Sequence, residues 1–298
     1  YVPGPLWVTL SPVSLPFLIG LILAQRAFTL EFCGDVMLNG IRPGPETLAG
    51  MKPVFEMGIT FANLEVPLTD SKTRTARKSA MEVSKKDQWV LEASPKHVPF
   101  LRVNGISAVS LGNNHAMDYG PGGLSEMVAG LDKAGIVHAG AGQNSKEASR
   151  VAVLRLPSGT RVGLLSAMAF MTPAALRKTS PAGLHSAGVN VLSFGGRLDP
   201  TAREKMGRWI SRAHLECDFV VVAVHWGTER KSLPNPYQVA LGRALVEAGA
   251  DVVWGNHPHV LQGAEVYRGV PVLYSMGNLI SSLPALTGVI RIRFEGND

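Results

Sequence analysis

A four-layer αββα sandwich with mixed sheets is predicted by three features of the 298-residue sequence. Apolar runs of strand length alternate with segments of helical length, the pattern of an α/β fold. Most of those runs are continuously apolar, as strands buried on both faces are. Their number exceeds what one sheet holds comfortably, so two sheets stacked face to face are expected, with helices outside.

The elements follow in order. Residues 28–33 form a short strand ending in Gly34-Asp35, and 45–57 read as a helix. Residues 59–62 are a strand ending in Asn63-Leu64-Glu65, followed by a long basic excursion. A helix over 96–103 precedes a strand over 106–111, which ends in Gly112-Asn113-Asn114-His115. Residues 121–134 form a helix opened by Pro121, which a first turn tolerates, and 136–139 a short strand. Residues 151–156 and 161–167 flank Pro157-Ser158-Gly159 as a hairpin. Residues 171–198 carry Pro, Gly and Ser with weak periodicity and read as a loop over the site. Helices at 201–215 and 236–247 bracket a fully apolar strand, 219–224, that ends in His225-Trp226-Gly227. Residues 251–254 form a strand ending in Gly255-Asn256-His257-Pro258-His259. A second hairpin turns at Arg268-Gly269, and 289–294 alternate as a last strand. No linker interrupts residues 28–298, which are expected to form one domain.

Residues 1–27 differ in kind. Residues 5–24 carry no charge, and about 20 apolar residues span a bilayer as a helix. Pro12 and Pro16 interrupt the run, so a signal-peptide core or signal anchor fits equally well, and an ordinary buried segment is the third reading.

Composition narrows the function. Net charge is +6, concentrated where Lys72, Arg74, Arg77, Lys78, Lys85 and Lys86 face one acid, Glu82. Such a stretch reads either as a solvated loop or as a rim attracting an anionic substrate or polymer. Nothing resembles a nucleic-acid-binding module. Cys33 and Cys217 lie in or beside apolar runs without a CxxC, so a thiolate metal site is not expected.

The polar constellations fall just after predicted strands, where α/β sheets collect their sites. Five strand ends carry Asp35, Glu65, Asn114-His115, His225 and His257-Pro258-His259. Singly they are ambiguous, since a Gly-Asp after a strand is more often a turn than a ligand. Together they offer oxygen and imidazole donors suited to manganese, zinc or iron. Two ions about 3.5–4 Å apart require such a set around a bridging carboxylate. His97, His138, His185 and His214 lack the strand-end context.

The motifs that carry a resemblance are Gly34-Asp35-Val36-Met37-Leu38, Asn63-Leu64-Glu65, Ser110-Leu111-Gly112-Asn113-Asn114-His115-Ala116-Met117-Asp118-Tyr119-Gly120, His225-Trp226-Gly227-Thr228-Glu229, Gly255-Asn256-His257-Pro258-His259-Val260-Leu261-Gln262-Gly263 and Tyr274-Ser275-Met276-Gly277-Asn278. In this order they resemble the CapA/PgsA family of poly-γ-glutamate capsule biosynthesis proteins, within the calcineurin-like metallophosphatase superfamily. The resemblance implies two divalent ions. Asp35 and His259 are expected on the first, Asn114, His225 and His257 on the second, and Glu65 bridging. His115 is expected as the acid that protonates a leaving oxygen. Asp118 either orients His115 or caps the helix that begins at Pro121. Asn63 and Glu229, within the motifs, and Arg77 and Lys78, in the basic stretch, are the candidate substrate contacts.

There are departures. Met37 stands where the wider superfamily has a histidine, which implies one weakly held ion. Asn256 and Leu279 replace the family's usual His and Phe. The resemblance implies a phosphoesterase-type hydrolase, or alternatively a non-catalytic metal- or polymer-binding accessory of a membrane poly-γ-glutamate synthase. With the apolar N-terminal segment, it implies a membrane-anchored or exported bacterial protein whose domain lies outside the cytoplasm.

Overall fold

The computed structural model describes residues 27–55, 58–75, 77–169, 178–192, 198–283 and 286–295. The apolar segment up to residue 26 therefore lies outside the described residues, as do 171–177 and 193–197 of the expected loop. Among the described residues, no helix is long and apolar enough to cross a membrane.

In chain order the first strands are β1 (Phe28–Val36), β2 (Ile59–Leu64), β3 (Ile106–Ser110), β4 (Val137–Ala139), β5 (Ala141–Gly142), β6 (Ala152–Arg155) and β7 (Arg161–Ala169). They are followed by β8 (Gly188–Val189), β9 (Phe219–Trp226), β10 (Val252–Asn256), β11 (Ala264–Tyr267), β12 (Val270–Leu273), β13 (Asn278–Ile280) and β14 (Ile290–Phe294). One sheet has the order β13-β1-β2-β3-β4 with parallel pairing, and β14 joins β1 antiparallel. The other has the order β11-β12-β10-β9-β7-β6, with antiparallel pairs at both edges. Strands β5 and β8 form a small ribbon apart.

Three apolar layers make this an α/β sandwich. Leu30, Phe32 and Phe61 of the first sheet meet Val221, Ala223 and Trp254 of the second between the sheets. Outside the first sheet, Val109 and Leu64 pack with Leu124, Met127 and Leu131 of the helix Gly120–Ala134. Outside the second, Val222 and Val253 pack with Met206 and Ile210 of the helix Pro200–His214 and Leu241 and Leu245 of the helix Pro236–Glu247. Removing that apolar area from water, at about 25 cal/mol per Å², is what drives the layers together. Trp254 also donates its indole N–H to Cys33 O at 3.0 Å, tying the sheets near their carboxyl ends.

Local chemistry sets the helix starts. Asn235 and Gln238 form a reciprocal capping box before Pro236, and Asp199 caps Ala202 N before Pro200. Of the helix expected over 45–57, the described residues form a 3-10 turn, Ala49–Met51, and a helical turn, Lys52–Phe55, with no helix over 45–48; 56–57 lie outside the described residues. Gly50 and Pro53 explain this, since one adds backbone entropy and the other removes an N–H. Strands β1, β9 and β10 run further than expected, so Asp35, His225 and Asn256 lie within strands rather than after them. Strand β13 is unforeseen because three residues show no alternation; it pairs with β1 at Asp35 and Asn278. That pairing demands glycine at 34, where an added Cβ would lie 2.0 Å from Gly277 O.

Candidate metal centre

Two parallel pairs of strands, β1 with β2 in one sheet and β9 with β10 in the other, deliver donors to one place. Strand β1 brings Asp35, the end of β2 brings Asn63 and Glu65, β9 brings His225, and the turn after β10 brings His257 and His259. Asp35, Asn63 and Glu65 are fully buried. His257 (φ 101°) and His259 (φ 57°) both adopt left-handed backbone around Pro258. Such strain in non-glycine residues costs about 1–3 kcal/mol each and clusters at functional sites. Here it turns two imidazoles inward, with ring centroids 5.8 Å apart.

Two donor groups result, each with ligand atoms within 4.8 Å of one another: Asp35, Glu65 and His225, and Glu65, His257 and His259. Glu65 is common to both. His225 Nε2 lies 3.4 Å from Glu65 Oε1 and 2.7 Å from Asn114 Oδ1. His259 Nδ1 lies 3.0 Å from Asp35 Oδ2, and its Nε2 lies 3.7 Å from Glu65 Oε1. His259 thus touches both carboxylates, between the two groups rather than wholly in one.

Asn63 positions the acids. Its Nδ2 donates to Asp35 Oδ1 at 2.8 Å and to Glu65 Oε2 at 3.1 Å, while its Oδ1 accepts from Asn113 Nδ2 at 3.2 Å. Asn113 Oδ1 in turn accepts from the backbone N–H groups of His115 and Ala116. Of the remaining acid oxygens, Glu65 Oε1 is buried without a hydrogen bond, and Asp35 Oδ2 is buried against the His259 ring, whose Nδ1 lies 3.0 Å away. Buried anions left this way are costly unless a cation joins them. Carboxylate, imidazole and amide donors around these two oxygens fit a borderline divalent ion.

The electrostatics agree. Burial, then the neighbouring Glu65 charge, raises the Asp35 carboxyl above its ordinary range. Burial likewise raises Glu65, with His259 opposing. Burial pushes His225 down to about 3 and holds His257 well below its usual value, so both present neutral rings. Burial also opposes charge on His259, but Glu65 and Asp35 outweigh it and push the ring up to about 10. Without a metal, that imidazolium is the cluster's counter-charge.

Beside the donors stands a polar dyad. His115 Nδ1 lies 2.7 Å from Asp118 Oδ2, which also accepts from Leu91 N at 2.8 Å. Asp118 therefore orients His115, and the helix Gly120–Ala134 begins without a side-chain cap. With Nδ1–H given to the carboxylate, Nε2 is left for the cavity that His115 lines. That cavity, about 450 Å³, is lined by Asn114, His115 and His257 and by Trp89, Lys178, Glu229 and Tyr237.

Several expected substrate contacts are placed otherwise. Asn63, expected to contact substrate, is buried, with its amide between the two acids and Asn113. Lys78, expected likewise, is buried, with Nζ 2.5 Å from Asp118 Oδ1. Arg77 is exposed and not in the cavity lining, whereas Glu229 does line it. Trp89, Lys178, Thr179, Asn235 and Tyr237 line it unforeseen; only Asn235 carried a local signal, as a cap before Pro236. Asn278, whose Oδ1 lies 3.0 Å from His259 Nδ1, sat within a recognised motif.

An α/β sandwich with a donor cluster at its strand carboxyl ends is the class that fold and site define. Within it, the chain belongs to the family described as bacterial capsule synthesis protein PGA_cap, whose model matches residues 29–283. It is 34% identical over 192 residues to the capsule biosynthesis protein CapA of Bacillus anthracis, covering 64% of this chain and 44% of that one. It is 29% identical over 270 residues to the PGA biosynthesis protein CapA of Bacillus subtilis (strain 168), covering 86% and 64%. A probable polyglutamine synthesis accessory protein of Mycobacterium tuberculosis is 30% identical over 205 residues, covering 67% and 52%. The chain thus spans between 44% and 64% of the length of these relatives.

Proposed function

We propose that this chain is a metal-dependent hydrolase of phosphoesterase type that acts on an anionic substrate in capsule polymer synthesis. The observation that carries it is Glu65, common to two donor groups, whose Oε1 is buried without a hydrogen bond. Asp35, Glu65, Asn114, His225, His257 and His259 would hold two divalent ions of manganese, zinc or iron type. Such ions supply Lewis-acid polarisation of a phosphoryl oxygen. Asn63 keeps both carboxylates aimed at the centre by donating to their outer oxygens. His115, with Nδ1 fixed by Asp118, carries a proton on Nε2 to the leaving oxygen. Glu229, Lys178 and Trp89 shape the space for the rest of the substrate.

The capsule setting comes from the family's description and the relatives' names; the pairing with a membrane synthase and the extracytoplasmic location are carried over from the sequence resemblance and the uncharged residues 5–24. The test is metal analysis of the purified protein combined with a panel of phosphate mono- and diesters. Bound manganese, zinc or iron together with ester hydrolysis lost in Glu65→Gln supports the reading; metal-free, inactive protein under every condition refutes it.

Met37 favours a second reading. It is buried in the outer apolar cluster and offers the centre nothing where a histidine ligand would be expected. A non-catalytic accessory that binds metal or polymer would tolerate that. Saturable binding of poly-γ-glutamate without turnover of any ester would favour it.

A further inference from the structure

Lys78 belongs to the excursion between β2 and the helix Val98–Val103, in a run of charges that is otherwise mostly exposed, yet its side chain is buried at the site. Nζ donates to Asp118 Oδ1 at 2.5 Å, to Trp89 O at 2.8 Å and to Asn114 O at 3.1 Å. An ammonium has three protons, and these three acceptors use them all. His115 Nδ1, 3.3 Å away, is therefore left to donate its own proton to Asp118 Oδ2. One cation joins three things that sequence keeps apart: the cavity wall at Trp89, the dyad of His115 and Asp118, and the backbone of Asn114. Asp118 reinforces the wall by accepting from Leu91 N, and Lys178 pairs with Glu82 further along the same excursion. A buried ammonium is expensive, and well-packed apolar residues often replace an ion pair without loss of stability. Stability alone is thus a poor account of a lysine here.

We propose that Lys78 is a positioning residue: it holds the His115 ring and the Trp89 wall in register with Asn114, so that proton delivery and cavity shape are set by one buried cation. This rests on the hydrolase reading for its effect on rate, though not for its effect on the ring. Without Lys78, Asp118 keeps a single side-chain partner and can rotate with the imidazole, and the wall loses its anchor at Trp89 O.

The test uses the full chain with Lys78→Met and, as a second apolar replacement that leaves Asp118 in place if the first folds poorly, Lys78→Leu. Three readouts are taken. The Nδ1–H proton of His115, identified by its loss in His115→Ala, should give a protected downfield resonance in the parent and none in either variant. Trypsin should cut after the exposed Lys85 and Lys86 about tenfold faster or more in the variants. With an aryl phosphate, kcat should fall about 10–100-fold with metal content unchanged. Adding His115→Ala to Lys78→Met should then cost little more, because residues in contact that act through one group are non-additive. Lys78→Met losing its metal, keeping the protected proton, or adding its full effect to that of His115→Ala would overturn the proposal. If the parent hydrolyses nothing, the hydrolase reading fails, while the proton and the trypsin rates still decide whether Lys78 positions the ring and the wall.

Discussion

Glu65→Gln is the most informative substitution, because Glu65 is the one side chain common to both donor groups. A ligand that binds only the folded state stabilises it by about 2.7 kcal/mol at a hundred times its dissociation constant. For a chain of this size that is about 5–10 °C in melting midpoint per ion, using roughly 2–4 °C per kcal/mol. In chelator the sign reverses. The cluster then holds two carboxylates, Asp35 and Glu65, against one imidazolium, His259, while His225 and His257 stay neutral. Glutamine removes one negative charge and leaves Asp35 and His259 as a balanced pair, so the metal-free variant should melt higher than the metal-free parent. Burial and neighbouring charge raise both acids above their unfolded values. A raised acid penalises folding above its folded pKa and ceases to do so as pH falls towards its unfolded value. The variant's advantage in chelator should therefore be larger at pH 8 than at pH 5. The assay is thermal melting of both proteins in chelator and in manganese or zinc, with bound metal measured beside it. A parent midpoint that ignores the ions would refute this reasoning. So would a Gln variant that keeps the full metal shift, or one that melts lower in chelator.

Three further outcomes are expected. His115→Ala should keep its bound metal but lose about 10²–10⁴ in rate, as removal of a general acid does; loss of metal would show that ligand and acid have been misassigned. Burial raises Asp251 from 3.8 to about 6 while its Oδ2 accepts from Val220 N at 2.7 Å. Folding is thus penalised above pH 6, less so as pH falls, and hardly below pH 4; Asp251→Asn, whose amide oxygen can still accept, should be more stable than the parent by up to about 3 kcal/mol above pH 6. Urea melts at pH 8 and pH 4 check this, and an equal difference at both would count against it. Gly34→Ala should lose about 1–3 kcal/mol or more, since the new Cβ would sit 2.0 Å from Gly277 O; an unchanged midpoint would mean that β1 and the turn before β13 separate easily.

The alternation of strand and helix was legible in the sequence because it is local. Continuous apolar runs, capping pairs such as Asn235 and Gln238, and prolines at first turns each act within a few residues. The donors were legible for a related reason: parallel strands gather what lies at their carboxyl ends, so Asp35, Glu65, His225, His257 and His259, at or just past the ends of β1, β2, β9 and β10, could be grouped from their positions. What the tertiary structure decided depends on contacts between distant residues. Six cations in one stretch look alike, and only the contact of Lys78 with Asp118, 40 positions away, shows which one is buried. Asn63 reads as a residue beside a site until both carboxylates close on its amide. Trp89, Lys178 and Tyr237 reach one cavity from three separate segments, and no pattern within any of them carries that information. Periodicity and spacing record how a chain meets its own near neighbours; burial of a polar side chain is set by what the rest of the chain brings to it.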